Sequence, residues 1–284
     1  MKLKDALLAV FVVLTWGSYF TVGKIIMDSF PPLFFGALRF FLMFLFTCPF
    51  FFKNKLFSLQ VVVLSVITFL NLLTLNHAIN ISSNLSPIIL LNELAVPFST
   101  LLGIYFLKEK LKLKDCIGII VAITGSAIIA QKCLNSSAST KAVILIIIAS
   151  LLFAFYNLLA KKLAHYNILS LLSQISLLIA AQFFLASFWQ EDWPAFIEIE
   201  PKAIFALLYL VTICSLLSYY IWFYLLSKYP LGKVVPFTLL SPVFGCITAI
   251  VTLNENIDYR ILFGGFLVIL GIIIIELKDD RNKS

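Results

Sequence analysis

Long apolar runs separated by short polar breaks recur ten times along the 284 residues of this chain. Taken as helices, each needs about 20 apolar residues to cross the hydrocarbon core of a bilayer. The runs lie at 6–27, 33–52, 59–79, 88–107, 115–131, 142–160, 168–187, 203–226, 234–253 and 259–276. They are continuous rather than alternating in twos, which fits helices and not the lipid-facing strands of a barrel. The expectation is an all-α integral membrane protein with ten transmembrane helices. The first run is long for a cleaved signal peptide and is followed by no small-residue cleavage site, so it reads as a retained span that doubles as an uncleaved targeting signal.

Composition narrows the classes further. The chain is 62% hydrophobic and only 12% charged, with a mean hydropathy of +1.05, whereas soluble domains carry roughly 25% charged residues. Ten spans leave no room for a soluble domain of useful size. The five cysteines form no C-x-x-C pair, which argues against a zinc site or a disulfide framework and leaves them as packing residues. Neither H-E-x-x-H, G-x-S-x-G nor a phosphate loop occurs, and no nucleophile and base are paired, so no enzyme, cofactor or metal is expected.

The positions of lysine and arginine give an orientation. With the N-terminus cytoplasmic, 15 of the 21 basic residues fall in inner segments, four (Lys132, Lys141, Lys202, Arg260) in outer ones, and Lys24 and Arg39 within spans. Cytoplasmic loops are the ones enriched in Lys and Arg, so both termini are expected inside. The net charge of +7 is then a topology signal and implies no nucleic-acid partner.

Two distant stretches share one grammar. Pro97, Glu109, Gly118 and Gly125 in the first half match Pro242, Glu255, Gly264 and Gly271 in the second; the glutamate-to-glycine and glycine-to-glycine spacings are 9 and 7 in both. This reads as a duplication, with halves at 1–137 and 138–284. Five spans per half is an odd number, so the copies must run in opposite directions across the bilayer. Aligned loops should then differ in charge, and 108–115 carries +2 where 254–261 carries −1. The glycines share one helix face and suit close approach of spans 5 and 10. Glu109 and Glu255 read as fixing loop geometry.

On these residues, with Trp16-Gly17-Ser18 in the first span, Pro31 to Arg39 entering the second, and Ala154, Tyr156 and Lys161 in the sixth, the chain resembles the drug/metabolite transporter superfamily, in its ten-span EamA-type branch. The resemblance implies a secondary, non-ATP transporter or exporter of small metabolites, most often amino acids or their derivatives. It would work by alternating access around a central cavity lined largely by spans 1, 3, 4, 6, 8 and 9. A carrier of S-adenosylmethionine or a nucleotide-like metabolite is the alternative within transport, and a non-transporting structural membrane protein the alternative outside it. The expected partners are a small-molecule substrate and the lipid bilayer, with proton coupling and the oligomeric state, a monomer included, both open. Richness in isoleucine, lysine, asparagine and phenylalanine suggests a low-GC bacterial genome and hence the inner membrane. The segment before Pro97 departs from the usual form in carrying Glu93 and one or two extra residues.

Candidate site residues follow from chemistry. An ionised group at the bilayer centre costs about 2.5–3.5 kcal/mol on insertion scales, so intramembrane charges are functional candidates. Glu93 and Arg39 stand roughly 8 and 9 Å in from the outer ends of spans 4 and 2, at 1.5 Å per residue. Equal depth permits an ion pair; otherwise Glu93 is free to meet a substrate amine or take up a proton, or to reach the outer interface. His77 and Lys24 lie near outer helix ends and read as interfacial. Asn71, Asn92, Tyr156 and Ser241 can hydrogen-bond a ligand or another helix, as can Thr74, Asn157 and Thr238. Trp16, Tyr19, Tyr219 and Trp222 belong to spans 1 and 8, which the resemblance places beside the cavity, where aromatic faces can receive flat or cationic solutes. Pro97 and Pro242 should bend spans 4 and 9 and are expected as hinges.

Overall fold

The structure is a computed structural model. It describes residues 1–27, 29–53, 57–82, 88, 91–131, 140–191, 201–241, 243–244 and 259–276. Pro242, Glu255 and most of the expected ninth span lie outside the described residues.

In hydrocarbon every backbone N–H and C=O must find its partner within the segment, and the apolar runs accordingly form helices. These are α1 (Leu3–Met27), α2 (Pro32–Thr47, prolonged by a 3-10 turn Cys48–Lys53), α3 (Leu59–Ile81), α4 (Ala95–Leu107), α5 (Leu113–Gln131), α6 (Thr140–Lys162), α7 (Ile168–Gln190), α8 (Pro201–Lys228), α9 (Leu231–Leu240) and α10 (Tyr259–Glu276). Five of them, α2 with its extension, α3, α6, α7 and α8, are long and apolar enough to cross a membrane. Their ends carry local causes. Pro32 opens α2 where its missing N–H costs nothing, Asn167 caps α7 by accepting from the Ser170 N–H at 3.1 Å, and Lys108 ends α4 in the left-handed region at φ 55°. Large apolar side chains such as Phe52, Leu59, Phe188, Trp189 and Phe205 stand exposed. A lipid-facing surface accounts for them, since water would not.

Three helices depart from the regular spans the sequence predicts. Span 4 is broken at Glu93–Leu94, where the chain turns before α4 begins. Pro97 has no N–H to give the Glu93 carbonyl, which instead accepts from Val96 at 3.0 Å. Nearby, the Ser150 hydroxyl of α6 reaches the Leu91 carbonyl at 3.0 Å. In α8, residues Leu210–Leu217 wind as a π-helix, and the hydroxyls of Ser215 and Ser218 donate to carbonyls five residues back, at Leu210 and Ile213. Helix α9 has one α turn, Leu231–Val234, and then continues as a 3-10 helix from Val235 to Leu240, with Pro236 near its start.

Packing follows an exchange rule. Helix α3 packs on α6 as α8 packs on α1; α4 lies against α6 as α9 lies against α1; α3 meets α7 as α8 meets α2. Further contacts pair α2 with α7, α4 with α9, and α5 with α10. The last is the closest. A Cβ placed on Gly118 would stand 2.6 Å from the Gly271 carbonyl oxygen, and one on Gly125 would stand 2.5 Å from that of Gly264. The two backbones therefore cross antiparallel in contact, which only glycine permits at these points.

Candidate functional site

The irregular helices meet in the middle of the bundle. A cavity of about 80 Å3 opens there, lined by Trp16 and Tyr19 from α1, Arg39 from α2, Asn71, Leu72 and Leu75 from α3, Asn92 and Ala95 at the break before α4, Phe153 from α6, Tyr219 from α8, and Thr238 and Ser241 at the end of α9. At about 10–15 Å3 per water on this measure, it holds several waters or one compact solute. Residues of the first and the second half of the chain share the wall.

Six of the nine expected binding residues thus come together, Trp16, Tyr19, Asn71, Asn92, Tyr219 and Ser241, with Arg39 beside them. Leu72, Leu75, Ala95 and Phe153 join the wall without having been expected there. The other three stand behind it. Trp222 is fully buried; its Nε1–H donates to Asn157 Oδ1 at 2.8 Å, and its ring supports that of Trp16 at 4.9 Å. Tyr156 stacks on Phe153 at 5.6 Å and lies 6.2 Å from the Tyr219 ring, with its hydroxyl unpaired among the described residues. Glu93 is buried beside Thr238, and neither of its carboxylate oxygens has a hydrogen-bond partner among the described residues.

The pairing of Arg39 with Glu93 is not made. The Arg39 Nε–H donates to the Ser215 hydroxyl at 2.6 Å, and the guanidinium lies over the rings of Tyr19 at 4.8 Å and Phe40 at 5.3 Å. Counting residues along a helix does not give the direction a side chain faces, and here the two residues face different neighbours. The π-helical turns supply Ser215 at this point and also bring the Cys214 carbonyl to Trp16, whose Nε1–H donates to it at 3.2 Å. Asn71 also ties helices together, donating from Nδ2 to the Ala149 carbonyl at 2.8 Å.

The two ends of the bundle differ. At the end that carries the N-terminus, Tyr229 donates its hydroxyl to Asp5 at 2.6 Å, and this bond holds the Asp5 carboxyl below the usual range. Glu109 accepts from the Leu231 N–H at 2.9 Å and so caps the start of α9, as a residue fixing loop geometry would. Lys161 donates to the carbonyls of Leu226 and Tyr229 at 2.9 and 2.7 Å, closing the end of α8. All three contacts bridge the halves or the helices that line the cavity. Toward the opposite end a second cavity of about 250 Å3 is lined by Asn76, His77, Asn80 and Glu191 among others. His77 is exposed there, as an interfacial residue should be. Glu191 accepts from the N–H groups of Leu33 and Phe34, both at 2.8 Å, at the start of α2.

The comparisons with known proteins agree in kind with this architecture. Residues 3–131 and 140–277 each match the model of the EamA-like transporter family. A probable amino-acid metabolite efflux pump of Salmonella typhimurium is 30% identical over 96% of this chain and 95% of its own length. A protein of the same description from Escherichia coli is 29% identical with the same coverage. An uncharacterized transporter of Bacillus subtilis, YvbV, is 24% identical over all of this chain and 95% of its own. A solved crystal structure aligns over 97% of this chain and 98% of its own at a TM-score of 0.79 and 13% identity, which extends the likeness to the fold.

Proposed function

The chain belongs to the EamA-like transporter family, and on that premise we propose that it is a secondary transporter that exports amino acids or their derivatives by alternating access around the central cavity. The observation that carries the reading is the cavity itself, walled by both halves and bordered by a broken helix, a π-helix and a 3-10 helix. Discontinuous helices at a repeat interface leave backbone and side-chain polar groups free to meet a solute. Transporter membership sets aside the non-transporting structural protein that the sequence left open.

Ten spans in two inverted halves, 1–137 and 138–284, with both termini on the cytoplasmic side of a bacterial inner membrane, complete the proposal. Three observations support the inversion. The family model matches the chain twice, the helix contacts exchange between the halves, and Gly118 meets Gly271 while Gly125 meets Gly264. A patch that contacts its own copy in this reciprocal way is the mark of a two-fold axis, and the antiparallel crossing lays that axis across the helices. The contacts at Asp5, Glu109 and Lys161 then form the cytoplasmic closure.

Glu93 is the proton carrier in this scheme. A buried carboxylate with no hydrogen-bond partner among the described residues is costly in its ionised form, and its neighbour Thr238 lines the cavity. The break at Glu93–Leu94, one turn before Pro97, serves as the hinge of span 4, with Pro242 its counterpart in span 9. The aromatic wall of Trp16, Phe153 and Tyr219 also suits S-adenosylmethionine or a nucleotide-like solute, but the small volume favours a compact one. Counterflow in proteoliposomes decides. Preloading with unlabelled amino acids should drive uptake of labelled ones, whereas exchange confined to adenosyl compounds would select the second reading.

A further inference from the structure

Arg39 is 3% exposed, lines the cavity and is the only charged residue in its wall among the described residues. Its Nε–H is taken by Ser215. Among the described residues no carboxylate or other acceptor meets the remaining N–H groups of the guanidinium. A neutral hydroxyl and two aromatic faces soften the charge, yet ring faces contribute only weakly. That is too little to replace the hydration of a buried cation, which calls for an anion. The free edge of a guanidinium presents paired N–H donors in the spacing of carboxylate oxygens.

Resting on the transport reading above, we propose that Arg39 is the carboxylate anchor of the central cavity, so that the transported solutes are those with a free carboxylate. The carboxylate meets the Arg39 edge, an ammonium group on the same solute meets the ring faces of Trp16 and Tyr219, and Asn92, Thr238 and Ser241 take the remaining polar atoms. Tyr19 and Phe40 fix the guanidinium plane, and Ser215 fixes its rotation. Amides and esters of the same solutes, lacking the anion, would leave the cation unpaired.

The test measures binding, separately from transport. Thermal stabilisation of the purified full chain in detergent is followed with each of the common L-amino acids and S-adenosylmethionine, and then with the amide of each amino acid that binds. The expected result is at least tenfold weaker binding by the amide. Arg39→Gln should abolish that discrimination by weakening the carboxylate form alone, and Arg39→Lys, which keeps the charge but not the paired donors, should retain part of it. Should Arg39→Gln fail to fold, the acid-to-amide ratio of the unaltered protein still decides. Equal binding by acid and amide overturns the anchor while leaving the transporter reading intact. Failure of every carboxylate to bind overturns both.

Discussion

The Tyr19 hydroxyl donates to Asn76 Oδ1 at 2.6 Å, and the two residues line different cavities, Tyr19 the central one and Asn76 the one toward the end opposite the N-terminus. Their hydrogen bond stands between the two spaces. Asn76→Ala should therefore open the central cavity to that side. A cysteine placed at Ser241 on the cavity wall is expected to react several-fold faster with a membrane-impermeant thiol reagent added outside; an unchanged rate would mean that the pair does not gate access.

The glycine seam should tolerate no side chain. A Cβ on Gly118 or Gly271 would press on the backbone of the facing helix at 2.6 or 2.5 Å, and backbone cannot swing aside. Gly118→Val and Gly271→Val are each expected to lose about 1–3 kcal/mol by overpacking, seen as a lower melting temperature in detergent. Valine at Gly265, whose Cβ would meet only ordinary contacts at 3.7 Å or more, is the control and should be milder.

Trp222 and Asn157 form a buried strut behind the cavity wall. Trp222→Phe keeps most of the packing but leaves Asn157 Oδ1 without its donor, for an expected cost of about 1–3 kcal/mol. Trp222→Phe together with Asn157→Leu should recover part of that cost, a coupling readable in a double-mutant cycle of melting temperatures.

Asp5 gives the closure at the N-terminal end a pH dependence of known sign. The Tyr229 hydroxyl lowers its pKa in the folded protein, so the contribution to stability is full above the ordinary aspartate value of about 3.9 and disappears as pH falls through the folded-state value. The difference in melting temperature between the natural protein and Tyr229→Phe should be present near neutral pH and close below about pH 4. A difference that persists unchanged in acid would assign the effect to packing.

Glu93→Gln separates proton coupling from exchange. Counterflow needs no net proton movement and should continue, while uptake driven by an imposed pH gradient should fall to background. Equal responses of the natural protein and Glu93→Gln to the gradient would remove Glu93 from the coupling step.

How far the sequence reached depended on the direction asked. Distance along a helix axis follows from counting residues, so the runs that form the described helices and the glycine seam at 118, 125, 264 and 271 were legible. Rotation about the axis was not. Tyr156 and Tyr219 are both buried aromatics, yet only Tyr219 reaches the cavity, and Arg39 turns to Ser215 rather than to Glu93. Breaks in helices were half legible. Pro97 announced one, although it falls a turn earlier at Glu93–Leu94 because the lost bond belongs to the carbonyl four residues back. The π turns of Leu210–Leu217 contain neither proline nor glycine, so nothing in that segment distinguishes them from an ordinary span; contacts such as the 2.7 Å approach of Thr15 and Ser218 accompany them only in the folded chain.

The central claim is that solutes cross through the cavity walled by Trp16 and Tyr219. Proteoliposome counterflow of the best-exchanged amino acid, compared between the natural protein, Trp16→Ala, Tyr219→Ala and the exposed control Phe188→Ala, tests it most directly. Loss of at least tenfold in the first two variants, with Phe188→Ala unchanged and all four equally folded by size-exclusion chromatography, is the predicted result. Undiminished exchange in both cavity variants would contradict the account.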